Sequence, residues 1–158
     1  MSTALPASET MSRAYPSRPV VAVGAIVVKA GKVLLVRRRT EPSRGLWSLP
    51  GGAVKRGEEL REAVAREVRE ECGIDVRVEG VVEVLDRITV DQRGRVRYHY
   101  VIIDFLASWR KGRVRAASDV SEASWVDPAA IGDLPLTAGL VPVITKALRL
   151  SRRRVGGN

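Results

Sequence analysis

Apolar residues alternate with polar ones, or run continuously, in several stretches of the chain, and this pattern predicts β-strands. Residues 20–39 contain two runs rich in β-branched side chains, separated by Ala30-Gly31, which predicts a hairpin. Residues 75–90 and 95–109 show similar patterns and are joined by the turn-like sequence DQRGR. Shorter strands are predicted at the sequence LWSLPGG and at residues 122–127.

Helical periodicity is clearest in residues 58–72. Acidic residues at the start of this segment suit the positive end of the helix dipole, and Gly73 follows where a left-handed C-terminal cap is expected. The apolar stripe consists of Leu60, Ala63, Val64 and Val68. Residues 136–150 predict a closing amphipathic helix whose start is disturbed by Pro142, and Pro128 begins a brief helical turn.

This order of elements predicts an α/β fold, in which helices cover a mixed sheet. Strands come first, one helix is inserted among them, and a second helix ends the domain. The chain of 158 residues has the length of a single domain, which we place at residues 19–151. The first 18 residues are rich in Ser, Pro and Ala and predict a disordered N-terminal tail, and residues 152–158 predict a basic C-terminal tail.

The net charge of +9 suggests a nucleic-acid partner at first, but the distribution of the charge disfavours one. Five of the 27 basic residues and one of the 18 acidic residues lie in the two tails, so the domain itself carries about +5. Only 4% of the residues are aromatic, which leaves little material for a base-stacking platform. We therefore expect an anionic small molecule, rather than a polynucleotide, as the partner.

Cysteine usage and hydropathy predict a cytoplasmic protein. Cys72 is the only cysteine, so no disulfide can form within the chain, as is usual in a reducing cytosol. The N-terminal segment lacks the apolar stretch of a signal peptide. No run of 18 apolar residues occurs, and a membrane span is therefore not expected.

A cluster of carboxylates marks the end of the first predicted helix. The sequence REVREECG places Glu67, Glu70 and Glu71 on neighbouring positions, where like charges destabilise an isolated helix by roughly 0.2–0.5 kcal/mol per pair. On a helical wheel, Glu67 and Glu71 continue the apolar stripe, whereas Glu70 lies to one side. Semi-buried carboxylates need raised pKa values or a cation, and hard oxygen ligands suit Mg²⁺ or Mn²⁺. The cluster indicates metal-assisted phosphoryl chemistry, although three glutamates alone also fit a solvated acidic face.

Arg66 lies within this cluster, four residues after Glu62 and four before Glu70. We expect its guanidinium to bridge these two acids and to hold Glu70 in one orientation. The glycines of the preceding sequence PGGAVKRGEE permit close approach of other groups to the backbone. The sequence contains no G-x-x-x-x-G-K-[ST] phosphate-binding loop.

Residues 52–74 read G-x5-E-x7-R-E-V-x-E-E-x-G-I, which resembles the Nudix box at every defined position. The sequences GLWSLPG and EASWVD also resemble Nudix segments, so the resemblance covers roughly residues 20–150. Proteins of this family are mostly hydrolases that use divalent cations to cut a nucleoside diphosphate linked to another group. The resemblance implies a Nudix-type α/β/α sandwich with a central mixed β-sheet, and it leaves a homodimer open.

The resemblance also implies roles for individual residues. The metal ligands for Mg²⁺, or for Mn²⁺ as the alternative, would be Glu67, Glu70, Glu71 and the carbonyl of Gly51. Arg66 and Glu58 would shape the loop–helix–loop and orient the acids. The general base would be a glutamate of the box, such as Glu70 or Glu67, or else a downstream acid, Glu122 or Asp119. Apart from the resemblance, Arg37, Arg38 and Arg39 end a predicted strand, and we expect one of them, or Arg44, to contact the substrate phosphates.

The substrate is less well determined by the sequence. The proline of one ADP-ribose-specific branch is missing, because no proline lies between Pro50 and Pro128, and TVDQ stands where the diadenosine-polyphosphate branch has a tyrosine. Residues 49–74 followed by HYVIIDFLA nevertheless resemble small ADP-ribose pyrophosphatases. We favour ADP-ribose or a nucleoside diphosphate sugar, with a house-cleaning (d)NTP pyrophosphohydrolase as the alternative. A domain that senses nucleotides without cleaving them is the alternative from a different class.

Overall fold

A computed structural model of the protein describes residues 13–156. The strands are β1 (Val20–Lys29), β2 (Lys32–Arg38), β3 (Trp47–Ser48), β4 (Gly51–Ala53), β5 (Asp75–Val90), β6 (Val96–Lys111) and β7 (Val120–Val126). The helices are α1 (Leu60–Cys72), a 3₁₀ helix (Pro128–Asp133) and α2 (Leu140–Val155). The predicted hairpin, the two long strands and the first helix are confirmed. The sequence LWSLPGG forms two short strands instead of one, because the strand is interrupted at Pro50.

The seven strands form one mixed sheet with the order β3-β2-β1-β6-β5. Strand β4 pairs with the first part of β1, and β7 pairs with β2. Strands β1 and β6 are parallel, and the remaining pairs are antiparallel. This arrangement confirms the predicted mixed sheet.

The two helices cover opposite faces of the sheet, which confirms the predicted α/β/α sandwich. Successive side chains of a strand point to opposite faces, and in β1 Val23 and Val27 pack in the cluster that contains α1, whereas Ile26 packs in the cluster that contains α2. We call these faces the α1 face and the α2 face. The core residues of the helices are Ala63, Val64, Val68 and Cys72 in α1, and Leu140, Val143, Ile144 and Ala147 in α2.

Local interactions fix both ends of α1. At its start, the backbone N–H of Glu59 donates to the carboxylate of Glu62 at 3.1 Å. At its end, Gly73 adopts φ 71°, and its N–H donates to the carbonyl of Arg69 at 2.9 Å. Leu60 was expected in the apolar stripe, but it is exposed. The side chain of a first helical residue leans beyond the helix end, because Cα–Cβ bonds tilt toward the N-terminus.

Helix α2 begins and ends later than the sequence predicts. It starts after Gly139, which adopts φ 77°, and Pro142 is tolerated in the first turn, where backbone N–H groups have no helical partner. The helix continues to Val155, so the three arginines assigned to a C-terminal tail, Arg152 to Arg154, lie in its last turn. Positive charge is favourable at this end of the dipole. No helix within residues 13–156 is long and apolar enough to cross a membrane.

The segment before β1 contacts the tip of the β5–β6 hairpin. The backbone N–H of Tyr15 donates to the carbonyl of Arg97 at 2.7 Å, and its hydroxyl donates to Asp91 at 3.0 Å. The guanidinium of Arg95 lies 4.9 Å from the centre of the Tyr15 ring. The predicted disordered tail is therefore wrong for residues 13–18, because an aromatic side chain anchors them. Residues 1–12 lie outside the described part of the chain.

Candidate active site

In strand β4, the backbone polar groups of Gly51 lie on the side of the strand that faces away from its partner β1. The N–H of Ala25 donates to the carbonyl of Pro50 at 2.9 Å, so the next pair along the ladder, Gly24 and Gly51, occupies a non-hydrogen-bonded position. At such a position, the N–H and C=O of Gly51 both point away from β1. The carbonyl that the resemblance assigns to a metal is therefore directed to the outer edge of β4.

Glu71 reaches this edge from α1. The backbone N–H of Gly51 donates to its carboxylate at 2.8 Å, and only 6% of the residue is exposed. Burial raises the pKa of the Glu71 carboxyl to about 8, and the charges of Glu67 and Asp119 raise it further. The hydrogen bond from Gly51 and the charge of Arg38 act in the opposite direction. The protein thus retains a carboxylate in a place where negative charge is unfavourable.

Glu67 lies against a second glycine of β4. A Cβ atom on Gly52 would lie 2.6–2.9 Å from the atoms of the Glu67 carboxylate, closer than real Cβ contacts allow. Only glycine therefore permits this position of the carboxylate. The expectation that the glycines before α1 allow close approach is confirmed at Gly52.

Arg66 connects the helix to the loop before it. Its Nε donates to Glu58 at 2.6 Å and its Nη2 to the second oxygen of Glu58 at 2.9 Å, which makes a bidentate pair. Its Nη1 donates to Glu67 at 2.8 Å and to Glu70 at 3.1 Å. The Nη2 group also donates to the carbonyl of Ala53 at 3.1 Å. One guanidinium thus holds two acids of the helix, one acid of the loop and the backbone of β4.

The expected bridge from Arg66 to Glu62 is wrong. Glu62 accepts the backbone N–H of Glu59 at the start of the helix, so its carboxylate is engaged there. Glu58 takes its place, since the loop brings it back to Arg66 across eight residues of sequence. The hydrogen bond from Arg66 lowers the pKa of Glu58 to about 2.

The helical-wheel prediction for the three glutamates is confirmed. The side chain of Glu67 is 15% exposed and that of Glu70 is 46% exposed, while Glu71 is buried. Two carboxylates thus continue the packed stripe of α1, and the third faces outward. Arg66 reduces the repulsion between Glu67 and Glu70, because it donates to both.

The two downstream acids occupy different surroundings. Glu122 lies in β7 opposite Arg37, whose Nη1 donates to it at 3.2 Å, and its side chain is half exposed. Asp119 lies just before β7 and is close enough to Glu71 for its charge to raise the pKa of Glu71. The charge of Asp119 thus acts on the most buried acid of the helix, whereas Glu122 is paired with Arg37.

The arginines at the end of β2 also separate into distinct environments. The charge of Arg38 acts on Glu71, and its Nε donates to the carbonyl of Pro42 at 2.7 Å. Arg37 donates to the carbonyl of Gly45 at 3.0 Å, and Arg39 donates to the carbonyl of Val120 at 3.3 Å. Among the arginines of β2, Arg38 is the one whose charge acts on Glu71.

The donor types at this edge fit a divalent cation. Three glutamate carboxylates and the outward-pointing carbonyl of Gly51 are the hard oxygen donors that Mg²⁺ and Mn²⁺ prefer. A cation there would offset the charge that raises the pKa of Glu71. Within residues 13–156, however, no three acidic, histidine or cysteine side chains already form an ion-binding group. The carboxylates of Glu67 and Glu70 are instead held by Arg66.

One buried acid was missed in the sequence. Asp104 of β6 is 4% exposed, and its carboxylate lies over Gly24 of β1. The signal was present as the single charged residue in the apolar run VIIDFLA. An acid inside a buried strand is unusual, because ionised groups are expensive to bury.

Comparisons with known proteins agree with this fold and with the sequence of α1. The NUDIX domain model matches residues 18–147. An ADP-ribose pyrophosphatase from Methanocaldococcus jannaschii is 37% identical over 120 residues, which are 76% of this chain and 67% of that protein. A CTP pyrophosphohydrolase from Escherichia coli is 29% identical over 135 residues, 84% of this chain and 93% of that protein.

Solved structures give the same result. The crystal structure of a MutT NUDIX hydrolase from Burkholderia pseudomallei superposes with a TM-score of 0.68 at 31% identity, covering 82% of this chain and 98% of that one. Nudix hydrolases generally use divalent metal ions and act on small nucleotide derivatives. The chain therefore belongs to the Nudix family and is a pyrophosphohydrolase, an enzyme that acts on phosphoric anhydride bonds.

Proposed function

We propose that the protein hydrolyses the diphosphate of a nucleoside diphosphate linked to another group, with ADP-ribose or a nucleoside diphosphate sugar as the favoured substrate. The observation that carries this proposal is the position of Glu71. Its buried carboxylate lies at the one edge of β4 where the carbonyl of Gly51 is not used by the sheet. Negative charge and a free carbonyl at one place suit a cation that also meets phosphate oxygens.

Mg²⁺, or Mn²⁺ as the alternative, would be held by Glu67, Glu70, Glu71 and the carbonyl of Gly51. When bound, a divalent cation supplies charge neutralisation at the phosphate oxygens and a more acidic water. Arg66 and Glu58 orient the acids through the bidentate pair described above. With a cation bound, the carboxylates of Glu67 and Glu70 would be shared between the cation and Arg66. The hydrogen bonds to Glu58 would then keep the guanidinium in place.

We expect the groups around Glu71 to take part in the attack of water on the diphosphate. Water forms a new bond to one phosphorus of the diphosphate, the anhydride P–O bond breaks, and the leaving phosphate takes the electron pair. The proton of the water goes to a carboxylate, for which the candidates are Glu67, Glu70, Asp119 and Glu122. Asp119 is favoured among the downstream acids, because its charge already acts on Glu71. We expect Arg38, whose charge acts on Glu71, to contact a phosphate of the substrate.

Similarity supports ADP-ribose as the first substrate to test. The relative from Methanocaldococcus jannaschii, at 37% identity, is an ADP-ribose pyrophosphatase. The second candidate is a nucleoside triphosphate, and it is supported by the similar CTP pyrophosphohydrolase from Escherichia coli. We also expect one catalytic domain at residues 19–151 and a cytoplasmic location, for which the buried, reduced Cys72 is suitable. A homodimer stays a prediction from the resemblance.

A substrate panel tests this proposal. The purified full-length protein is incubated in millimolar Mg²⁺ with ADP-ribose, a uridine diphosphate sugar, CTP and an oxidised dGTP, and the products are separated by ion-exchange chromatography. The proposal expects AMP and ribose phosphate from ADP-ribose at the highest kcat/KM. Faster cleavage of a triphosphate would favour the second candidate. Binding without turnover of any compound would support the nucleotide sensor and contradict the hydrolase.

A further inference from the structure

The carboxylate of Asp104 is buried without a partner in the described part of the chain. It is 4% exposed, and within residues 13–156 burial and the charges of Arg87 and Glu83 act on it, without a hydrogen bond. No fully sealed side-chain oxygen or nitrogen in these residues lacks a hydrogen bond, so the Asp104 oxygens keep some contact with solvent-accessible space. An ionised carboxylate in this situation destabilises the fold. An apolar or amide side chain would fill the same place without that penalty.

The position of Asp104 relates it directly to the candidate active site. One row of residues crosses four neighbouring strands of the sheet. It consists of Gly51 in β4, Gly24 in β1, Asp104 in β6 and Glu83 in β5. Gly24 makes room for the carboxylate, because a Cβ atom there would overlap Oδ1 of Asp104. Two strand spacings, about 10 Å, separate the backbone of Asp104 from that of Gly51. Asp104 therefore lies in the same row of the sheet as the glycine that Glu71 contacts.

A loop crosses the α2 face near this row. The N–H of Thr137 donates to the carbonyl of Trp47 at 3.0 Å, and Arg87 of β5 donates to the carbonyl of Ala138 at 2.7 Å. Trp47 lies in β3 and Arg87 in β5, the first and last strands in the order of the sheet. The two hydrogen bonds therefore link residues 137–138 to both of these strands. Asp104 shares the α2 face with Leu106, as alternate residues of β6 do. The carboxylate thus lies on the same face of the sheet as this loop.

Neighbouring charges are engaged elsewhere. Glu83, opposite Asp104, accepts a hydrogen bond from Lys146 of α2 at 3.1 Å. Arg87 uses its Nη2 for the carbonyl of Ala138. An apolar side chain also lies beside Gly24, since Cδ1 of Leu49 is 3.7 Å from the position of a Cβ atom on this glycine. The surroundings therefore combine an acceptor with apolar surface, which suits a flat ring that carries N–H groups.

We propose that Asp104 recognises the nucleobase of the substrate, by accepting a hydrogen bond from an exocyclic amino group such as that of adenine or cytosine. This proposal rests on the proposed function, which brings the diphosphate of the same molecule to Glu71 and Gly51. An ionised carboxylate only accepts hydrogen bonds, so it selects a base that presents a donor. Burial raises the pKa of Asp104 to about 6, opposed by the charge of Arg87 and assisted by that of Glu83. The group is therefore still mostly ionised above pH 7.

Paired substrates with and without the amino group test this inference. The kcat/KM of the wild-type protein and of Asp104→Leu is measured for ADP-ribose and for the analogue whose base is unsubstituted purine. We expect the wild-type protein to prefer ADP-ribose by about 10- to 100-fold, since an unmade bond leaves a buried acceptor unpaired. In Asp104→Leu, whose side chain of similar size has no acceptor, this preference falls toward one. Glu83→Gln, which alters the neighbouring carboxylate in the same row, keeps the wild-type preference.

Other outcomes would overturn the inference. An equal loss for both substrates in Asp104→Leu indicates a structural role, and an unchanged preference indicates that Asp104 does not contact the base. If the wild-type protein cleaves neither compound, the proposed substrate is wrong, and the base is then tested by binding alone. Calorimetry with AMP, CMP and their analogues lacking the amino group would give tighter binding of the amino forms only in the wild-type protein. Equal binding, or no binding, of the paired nucleotides contradicts the role of Asp104.

Discussion

The carboxylate of Glu71 and the backbone N–H of Gly51 are joined by a hydrogen bond of 2.8 Å, although they lie 20 residues apart in the chain. This contact joins the last turn of α1 to the outer edge of β4. It explains why the box needs both a glycine-containing strand and a helix of fixed length. A shift of either element would separate the buried acid from the free carbonyl of Gly51.

Amide substitutions in α1 test the role of the acids. In Glu71→Gln the side-chain oxygen can still accept the N–H of Gly51, so the fold is retained while the negative charge is lost. We expect kcat to fall by about 10²- to 10⁴-fold in Glu71→Gln and in Glu70→Gln, as for loss of a reacting carboxylate. Steady-state kinetics with a thermal melt measure both properties. Glu62→Gln is the matched control, because glutamine also serves at that capping position. Wild-type turnover in Glu71→Gln would refute the assignment.

The two downstream acids are distinguished by a second pair of variants. We expect Asp119→Asn to lower kcat by about 10-fold or more, because Asp119 is the downstream acid whose charge acts on Glu71. Glu122→Gln loses an exposed ion pair with Arg37, which contributes less than about 1 kcal/mol to stability. Its kcat should stay within about twofold of the wild-type value. The opposite ranking of the two variants would transfer the role to Glu122.

Replacement of Arg66 by lysine tests the guanidinium as a positioning group. Lysine keeps the charge but has no planar fork for the bidentate pair with Glu58. We expect the free energy of unfolding to fall by about 1–3 kcal/mol and kcat to fall, while KM changes less. Arg69→Lys is the control, since its pair with Asp75 is largely exposed and screened by solvent. Equal effects of the two substitutions on kcat would contradict the positioning role.

The buried Asp104 predicts a pH-dependent gain in stability on substitution. Burial raises its pKa to about 6 in the folded protein from an ordinary value of 3.8, so the folded state binds the proton more tightly. The carboxyl therefore favours folding at low pH, and this contribution is lost as the pH rises through 6. Asp104→Asn should be more stable than the wild-type protein at pH 8, by up to about 3 kcal/mol, and close to it at pH 4. Urea unfolding at the two pH values measures the difference. A variant that is equally destabilised at both values would show that Asp104 has a favourable partner.

Local sequence patterns were sufficient for most of the fold. The 3.6-residue period and Gly73 determine α1, because its packing face and its C-terminal cap both lie within the segment. The hairpin of β1 and β2 follows in the same way from two apolar runs and a short turn. Chain ends were predicted less well. Composition alone could not show that Tyr15 meets Asp91, or that Arg154 donates to Glu79 at 2.6 Å and continues α2 beyond its apolar stripe.

The candidate site was predictable where the spacing is helical and not where partners are distant in sequence. Positions 67, 70 and 71 follow from the geometry of one helix. The partner of Arg66 is Glu58 and not Glu62, because a loop returns to the helix and the competing backbone N–H of Glu59 occupies Glu62. The contact of Asp104 with Gly24 depends on the parallel pairing of β1 and β6, which no local pattern specifies.

The most direct test of the central claim is the rate at which AMP is released from ADP-ribose at increasing Mg²⁺ concentration. The titration starts without Mg²⁺, in the presence of a chelator, and ends on the order of 10 mM, which saturates a weakly held magnesium ion. The account predicts no release with the chelator, a saturable rise with Mg²⁺, and no rise in Glu71→Gln. Hydrolysis that continues undiminished without divalent cations, or that responds to Mg²⁺ equally in the wild-type protein and Glu71→Gln, would contradict it.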